Sequence, residues 1–307
     1  MTAPPPNGVA TTAPGSVPSS LTQGPRDQRI KEALFRIGML SCLAIAIVTL
    51  VVLMGQVAVK GIGSINAGFF EHYGSSFPEN AGIRGALLGT VWVMGVCAAF
   101  IIPVGVASAV YLEEYADRDK WYNRFIEVNI QNLAAVPSII YGILGLAFLV
   151  RGPLSLGRVV LAGGLTLGLL VLPVVIIAGR EAIRAVPPSI REGSMALGAT
   201  KWQTIWKQVL PGSIAGIATG VILALSRAIG ETAPLLLLGA AVSSRIDPTL
   251  DNEVINALPL QIFNWSKDSD TANFLPLAAA AIIVLMIVLL LMNSIAIYLR
   301  NRYEQKW

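Results

Sequence analysis

The chain has 307 residues, 54% of them hydrophobic and 13% charged, with a mean hydropathy of +0.67. Soluble domains carry about a quarter charged residues, so this composition excludes an ordinary soluble domain and fits an integral membrane protein. The net charge of +4 does not mark a nucleic-acid binder, because the basic residues sit at the ends of apolar runs and form no stripe interleaved with aromatics.

From the N-terminus, six prolines among Ala, Thr, Ser and Gly fill the first 25 residues. Residues 1–28 therefore read as a disordered, Pro-rich cytoplasmic tail, without the basic and apolar regions of a signal peptide. Residues 29–307 read as one membrane domain. Cys42 and Cys97 lie inside apolar runs and give neither a disulfide framework nor metal-ligand spacing. The lone histidine, His72, has no nucleophile or acid beside it in sequence, and no catalytic residue is expected.

A membrane helix needs roughly 20 apolar residues. Five uncharged runs qualify: Ile37–Val59, Gly85–Leu112, Val128–Val150, Val159–Gly179 and Thr271–Leu299. A sixth, Pro211–Ala241, qualifies if Arg227 and Glu231 are tolerated inside it. The predicted fold is all-α and polytopic, with six transmembrane helices. With the N-terminus cytoplasmic, fifteen of the 22 Lys and Arg residues fall inside and six outside, which supports six spans and two cytoplasmic termini. Pro103, Pro137, Pro173 and Pro234 are expected within spans, where each removes a backbone hydrogen bond and can kink its helix.

The longest cytoplasmic loop, about 187–210, is expected to form a helix–Gly–helix hairpin. Ser189 and Glu192 have capping-box spacing, Gly198 suits a left-handed helix end, Ala199 follows it, and Thr200 with Gln203 makes a second box. Trp202, Ile205, Trp206, Val209 and Leu210 form an apolar stripe, and Pro211 is expected to begin the fifth span. Such a hairpin fits either the lipid headgroup region or the groove of a cytosolic partner.

The same segment resembles the coupling loop of ATP-binding cassette (ABC) importer permeases, sharing Glu192, Gly198, Leu210 and Pro211 at the family spacing. It departs at Gly193, Ser194 and Gln208. Three stretches, "NLAAVPSIIYGILG", "LPVVIIAGREAIRAVPPSIREGSMALGATKW" and "SRAIGETAPLLLLGAA", narrow the resemblance to permeases of the phosphate-specific (Pst) system, PstA-type. It covers roughly residues 30–300. The resemblance implies a type I, MetI-like importer permease and four partners: a PstC-type permease, a PstB-type ATPase dimer using ATP and Mg²⁺, a PstS-type phosphate-binding protein, and phosphate itself. The chain contains no G-x-x-x-x-G-K-[ST], so it has no Walker A phosphate cradle of its own and needs no cofactor.

Arg227 and Glu231 stand four residues apart, about 6 Å on a continuous helix. Burying an arginine in a bilayer costs about 2.5–3.5 kcal/mol on insertion scales, so the pair is expected to face a cavity or another helix. Two roles fit: a structural pair, or a pathway site in which the guanidinium fork meets a phosphate oxygen while Glu231 positions or gates it. Ser226 and Thr232 are neutral donors nearby, as are Asn129, Asn132 and Ser138 on the third span. Arg180 and Arg184 stand where an exit would lie, or serve as cytoplasmic anchors.

Overall fold

A computed structural model describes residues 26–117, 119–239, 246–250 and 255–303. Residues 1–25 of the expected tail, Lys306, and the end of the expected fifth span at Ala241 lie outside these. The chain divides at Gly55 into two compact units. In the first unit the described residues belong to helix α1, Arg26–Gly61, which starts inside the expected 1–28 tail. Every residue from Ile30 to Leu53 is exposed. The uncharged run Ile37–Val59 within α1 is apolar on all sides and suited to lipid or another subunit.

The second unit is built on helices α2 (Ala67–Glu71), α3 (Arg84–Val110), α4 (Trp121–Ala134), α5 (Ser138–Leu144) and α6 (Val160–Arg184). They are followed by α7 (Pro188–Ala196), α8 (Lys201–Thr204), α9 (Leu210–Ile229), α10 (Ala233–Leu237), α11 (Leu258–Ser266) and α12 (Thr271–Tyr303). No strand occurs among the described residues. Helix α6 is the hub, packed against both α3 and α9. Small residues make this possible: a Cβ on Gly216 or Gly220 of α9 would collide with Ala182 or Ala178 of α6. Val93, Cys97 and Ile101 of α3 join Leu167, Val171 and Val175 of α6 in the core.

Among the described residues there are five apolar helices long enough to span and one bent pair, six segments if the pair counts as one, and two of them differ in form from the sequence reading. The third is not a straight span. Helix α4 and the continuous segment Ser138–Val150 meet at 106° across Ala135–Pro137. Pro137 cannot donate to a preceding turn and biases Val136 away from helical geometry, so the chain turns there rather than kinking. The Tyr141 hydroxyl donates at 2.9 Å to the Leu133 carbonyl, which also accepts from the Val136 amide, so the two arms of the bend are tied together.

The fifth segment is displaced toward the N-terminus. Residues Lys201–Ile229 form one continuous helix, so Pro211 does not begin the span. A π-helical stretch, Ile205–Val209, ends just before Leu210 and Pro211, in the turn that the proline leaves short of a donor. The helix then stops at Ile229, with Gly230 as its C-cap, and Pro234 lies in the first turn of α10 rather than inside a span. Pro103, Pro173, Pro211 and also Pro276 lie within continuous spans.

On the surface between α2 and α3, the Arg84 guanidinium donates to both Asp247 oxygens at 3.1 and 2.8 Å, and the Tyr73 hydroxyl donates to the same carboxylate at 2.9 Å. The hydrogen bonds from Arg84 hold the Asp247 carboxyl below its ordinary range. A depressed carboxylate stabilises the fold above its unfolded pKa, and that contribution is lost as pH falls through the folded value. The latch is therefore complete at neutral pH and opens only in acid below the usual carboxylate range. Asp247→Asn is expected to speed amide exchange in 246–250 severalfold at pH 7, with little effect elsewhere. Hydrogen–deuterium exchange measures this.

Candidate functional site

Two groups of charged residues stand apart in the second unit. The first lies where the two breaks in helical structure meet. Helix α10 packs on α5 so closely that a Cβ on Gly142 would lie 2.7 Å from Pro234 Cα. Arg227 is in the last turn of α9, where the helix dipole favours a cation, and Glu231 lies just past the helix end. The pair is thus not a helical i, i+4 pair as expected; the chain has left the helix between them. From Lys201, where the continuous helix starts, Arg227 is about 39 Å along the axis, and the apolar helix α10 follows it in the chain.

The Arg227–Glu231 contact is open. Nε and Oε1 are 3.5 Å apart, against about 2.7–2.9 Å for a tight charge-assisted bond. The Arg227 side chain is 45% exposed and Glu231 20%. A guanidinium this exposed between two apolar helices is suited to a second subunit or a hydrated path, because contact with lipid would cost about 2.5–3.5 kcal/mol. Thr232 is half-buried in the same break and makes no side-chain cap. Ser226 is not a free donor: its Oγ lies 2.7 Å from Asn293 Oδ1 on α12 and also donates to the Ile222 carbonyl. Asn129 donates to the Phe125 carbonyl of its own helix, Asn132 is exposed, and Ser138 opens α5.

The second group ties the loop hairpin to the bundle. Arg180 is buried, with Nη2 2.9 Å from Glu127 of α4 and Nε 3.6 Å from Glu113. Arg184 makes two 3.0 Å bonds to Glu113. Arg191 of α7 holds Glu114 at 2.9–3.0 Å and also donates to the Ile183 and Val186 carbonyls. Glu113 and Glu114 sit in the π-helical stretch Tyr111–Tyr115 that ends the second span. Arg180 is therefore a locked, structurally paired residue, unlike Arg227. None of these glutamates was singled out from sequence; their partners are 71 and 77 residues away.

In the hairpin itself, Gly198 has φ +88°, as its left-handed position requires, and Thr200 with Gln203 forms the full capping box. Ser189 is not a cap. Pro187 is the N-cap and α7 starts at Pro188, two residues earlier than a Ser189 cap would allow, so Ser189 lies within the first turn and stays exposed with Glu192. The Ala199 amide donates to the Ser194 carbonyl, and Ser194 Oγ meets Thr204 Oγ1 at 3.0 Å, so α7 and α8 form one rigid corner. The apolar stripe divides: Ile205 and Val209 are buried, while Trp202 and Trp206 are exposed and in edge contact at 5.3 Å.

Residues 101–305 match the family model for the binding-protein-dependent transport system inner membrane component. The phosphate transport system permease protein PstA 1 of Mycobacterium tuberculosis (strain CDC 1551 / Oshkosh) is 34% identical over 83% of this chain and 84% of its own. The probable ABC transporter permease protein YqgI of Bacillus subtilis is 33% identical, covering 72% and 75%. Among solved structures, a bacterial alginate ABC transporter in complex with an alginate pentasaccharide-bound periplasmic protein aligns with TM-score 0.67 at 17% identity, covering 91% of this chain and 98% of that one. This chain belongs to the inner-membrane component family of binding-protein-dependent transport systems: it is a multi-pass ABC importer permease of PstA type, a membrane subunit and not itself the ATPase.

Proposed function

We propose that the chain carries inorganic phosphate inward as one of two permeases in an ABC importer. The observation that carries the reading is Arg227: an arginine at the end of α9, half exposed, loosely held by Glu231, where the break before α10 meets the break before α5. Discontinuous helices are where membrane transporters place polar sites, since freed backbone groups can face substrate there. A guanidinium offers a planar fork of donors suited to phosphate oxygens. The 34% identity to a PstA protein supports phosphate over other oxyanions.

A PstC-type permease would face Arg227 from the other side of the path. A PstB-type ATPase dimer would bind ATP and Mg²⁺ and push on the α7–α8 corner, and a PstS-type protein would deliver phosphate. With both termini cytoplasmic, that corner and the Arg180–Arg184–Arg191 group lie on the cytoplasmic side. Movement of α7 would pass through Arg191 to Glu114 and through Arg184 to Glu113, and so to α3. Phosphate uptake into cells or vesicles tests the reading. Uptake is expected to stop on ATP depletion, whereas uptake that survives it would favour an ATP-independent anion transporter.

A further inference from the structure

The two short segments that start at the breaks beside Arg227 both end at an arginine. The segment Ser138–Val150 is followed at once by Arg151. Helix α10 is capped by Leu238, and the guanidinium of Arg158 lies against the next residue, Gly239. A Cβ on Gly239 would sit 3.1 Å from both Cζ and Nε of Arg158, and its φ of +75° also favours glycine. Gly239 thus turns the chain and leaves room for the guanidinium.

The loop between the two arginines folds back on itself. The Leu156 amide donates to the Leu149 carbonyl at 2.8 Å, and the Gly157 amide to the Val150 carbonyl at 3.4 Å. These bonds return the backbone at Arg158 toward that at Arg151. Leu149, Val150, Val159 and Val160 are buried and fix both ends of the loop in the core. Arg151 and Arg158 themselves are exposed. Neither makes an ion pair or a side-chain hydrogen bond among the described residues. Arg158 does not donate to the carbonyls that end α10, the bond expected of a purely structural arginine there. Like charges brought together without a carboxylate repel each other, and a bound anion relieves that repulsion.

We propose that Arg151 and Arg158 form a second oxyanion site on the substrate path, about 10 Å along α10 from the break at Thr232, and that it holds inorganic phosphate on its way to Arg227. The site rests on the transport reading above, in which both termini are cytoplasmic and this end of α10 is extracytoplasmic. Phosphate released there either escapes outward or moves on to Arg227. Two unpaired guanidinium groups raise the local concentration of the anion and favour the second course. Charge suffices for this task, because both side chains are exposed and no fixed fork is needed.

Phosphate uptake and ATP hydrolysis, measured together in the reconstituted complex with saturating phosphate-loaded binding protein, test the proposal. With Arg151→Gln and Arg158→Gln combined, phosphate imported per ATP hydrolysed is expected to fall about threefold or more, with hydrolysis itself unchanged. Arg158→Gln alone is expected to lower the ratio by a smaller factor, and it keeps the test valid if the double variant fails to assemble. Arg158→Lys is expected to keep the ratio. Raising the salt is expected to bring the unaltered complex down toward the variants, because exposed charges are screened. An unchanged ratio in the double variant overturns the proposal. So does a higher half-saturating concentration of binding protein at an unchanged ratio, which would assign the arginines to docking an acidic protein face. A deficit seen in anionic membranes but not in neutral ones would assign them to lipid headgroups and also overturn it. Arg227→Gln keeps the two readings apart: full uptake there sinks the transport role of Arg227, whereas lost uptake there with a normal ratio in the double variant overturns the second site alone.

Discussion

Arg227→Gln is expected to reduce phosphate uptake roughly 10–100-fold while the protein still assembles in the membrane. The magnitude follows from the loss of a hydrogen bond to a charged group, worth about 1.5–3 kcal/mol, at about 1.4 kcal/mol per tenfold. Assembly is spared because Arg227 contributes little to the fold. Its contact with Glu231 is 3.5 Å long and its side chain 45% exposed, and ion pairs of that kind are worth about 0–1 kcal/mol even in favourable cases. Arg227→Lys keeps the charge but not the fork and should fall between the two. Glu231→Gln separates the remaining roles: a gate or positioning group predicts altered rate with near-normal phosphate affinity, whereas a direct ligand predicts weakened affinity. Labelled-phosphate uptake over a range of concentrations, normalised to membrane protein level, measures all three variants.

The second large effect is expected at Gly198. Its φ of +88° lies where a side chain is strained, and a β-branched residue is least tolerated there. The space around it is open, so the penalty is conformational and not a clash. Gly198→Val must rotate the α7–α8 corner, the part of the loop that joins Arg191 and Glu114 to the start of the fifth span. The expected result is a complex that assembles and hydrolyses ATP at its basal rate but loses most substrate stimulation. Gly198→Asn, which tolerates left-handed geometry, should retain most of it. ATPase assays with and without substrate-loaded binding protein distinguish the two.

The number of apolar segments was legible because span length and hydropathy depend only on local composition. Gly198 and the Thr200–Gln203 box were legible for a similar reason, since a glycine helix end and a capping box are local chemistry. The breaks at Ala135–Pro137 and Gly230–Thr232 were not. A proline in a long apolar run reads equally well as a kink in one helix or as a boundary between two, and packing of α5 against α10 decides in favour of the boundary. The four-residue spacing of Arg227 and Glu231 was read as a helical pair, and that reading failed at Gly230. The Glu113, Glu114 and Glu127 partners of the three arginines were hidden by sequence distance; only the fold brings the end of the second span beside α6 and α7. Ser189 misled because its capping-box spacing is genuine, but two prolines ahead of it start the helix first.

The most direct test of phosphate import is ATP hydrolysis by the reconstituted complex across a series of oxyanions, each delivered to the extracytoplasmic side with the binding protein. Phosphate is expected to raise the rate severalfold, sulfate to leave it at the basal level, and Arg227→Gln to remove the response. Equal stimulation by sulfate and phosphate, or a full phosphate response in Arg227→Gln, would contradict the account.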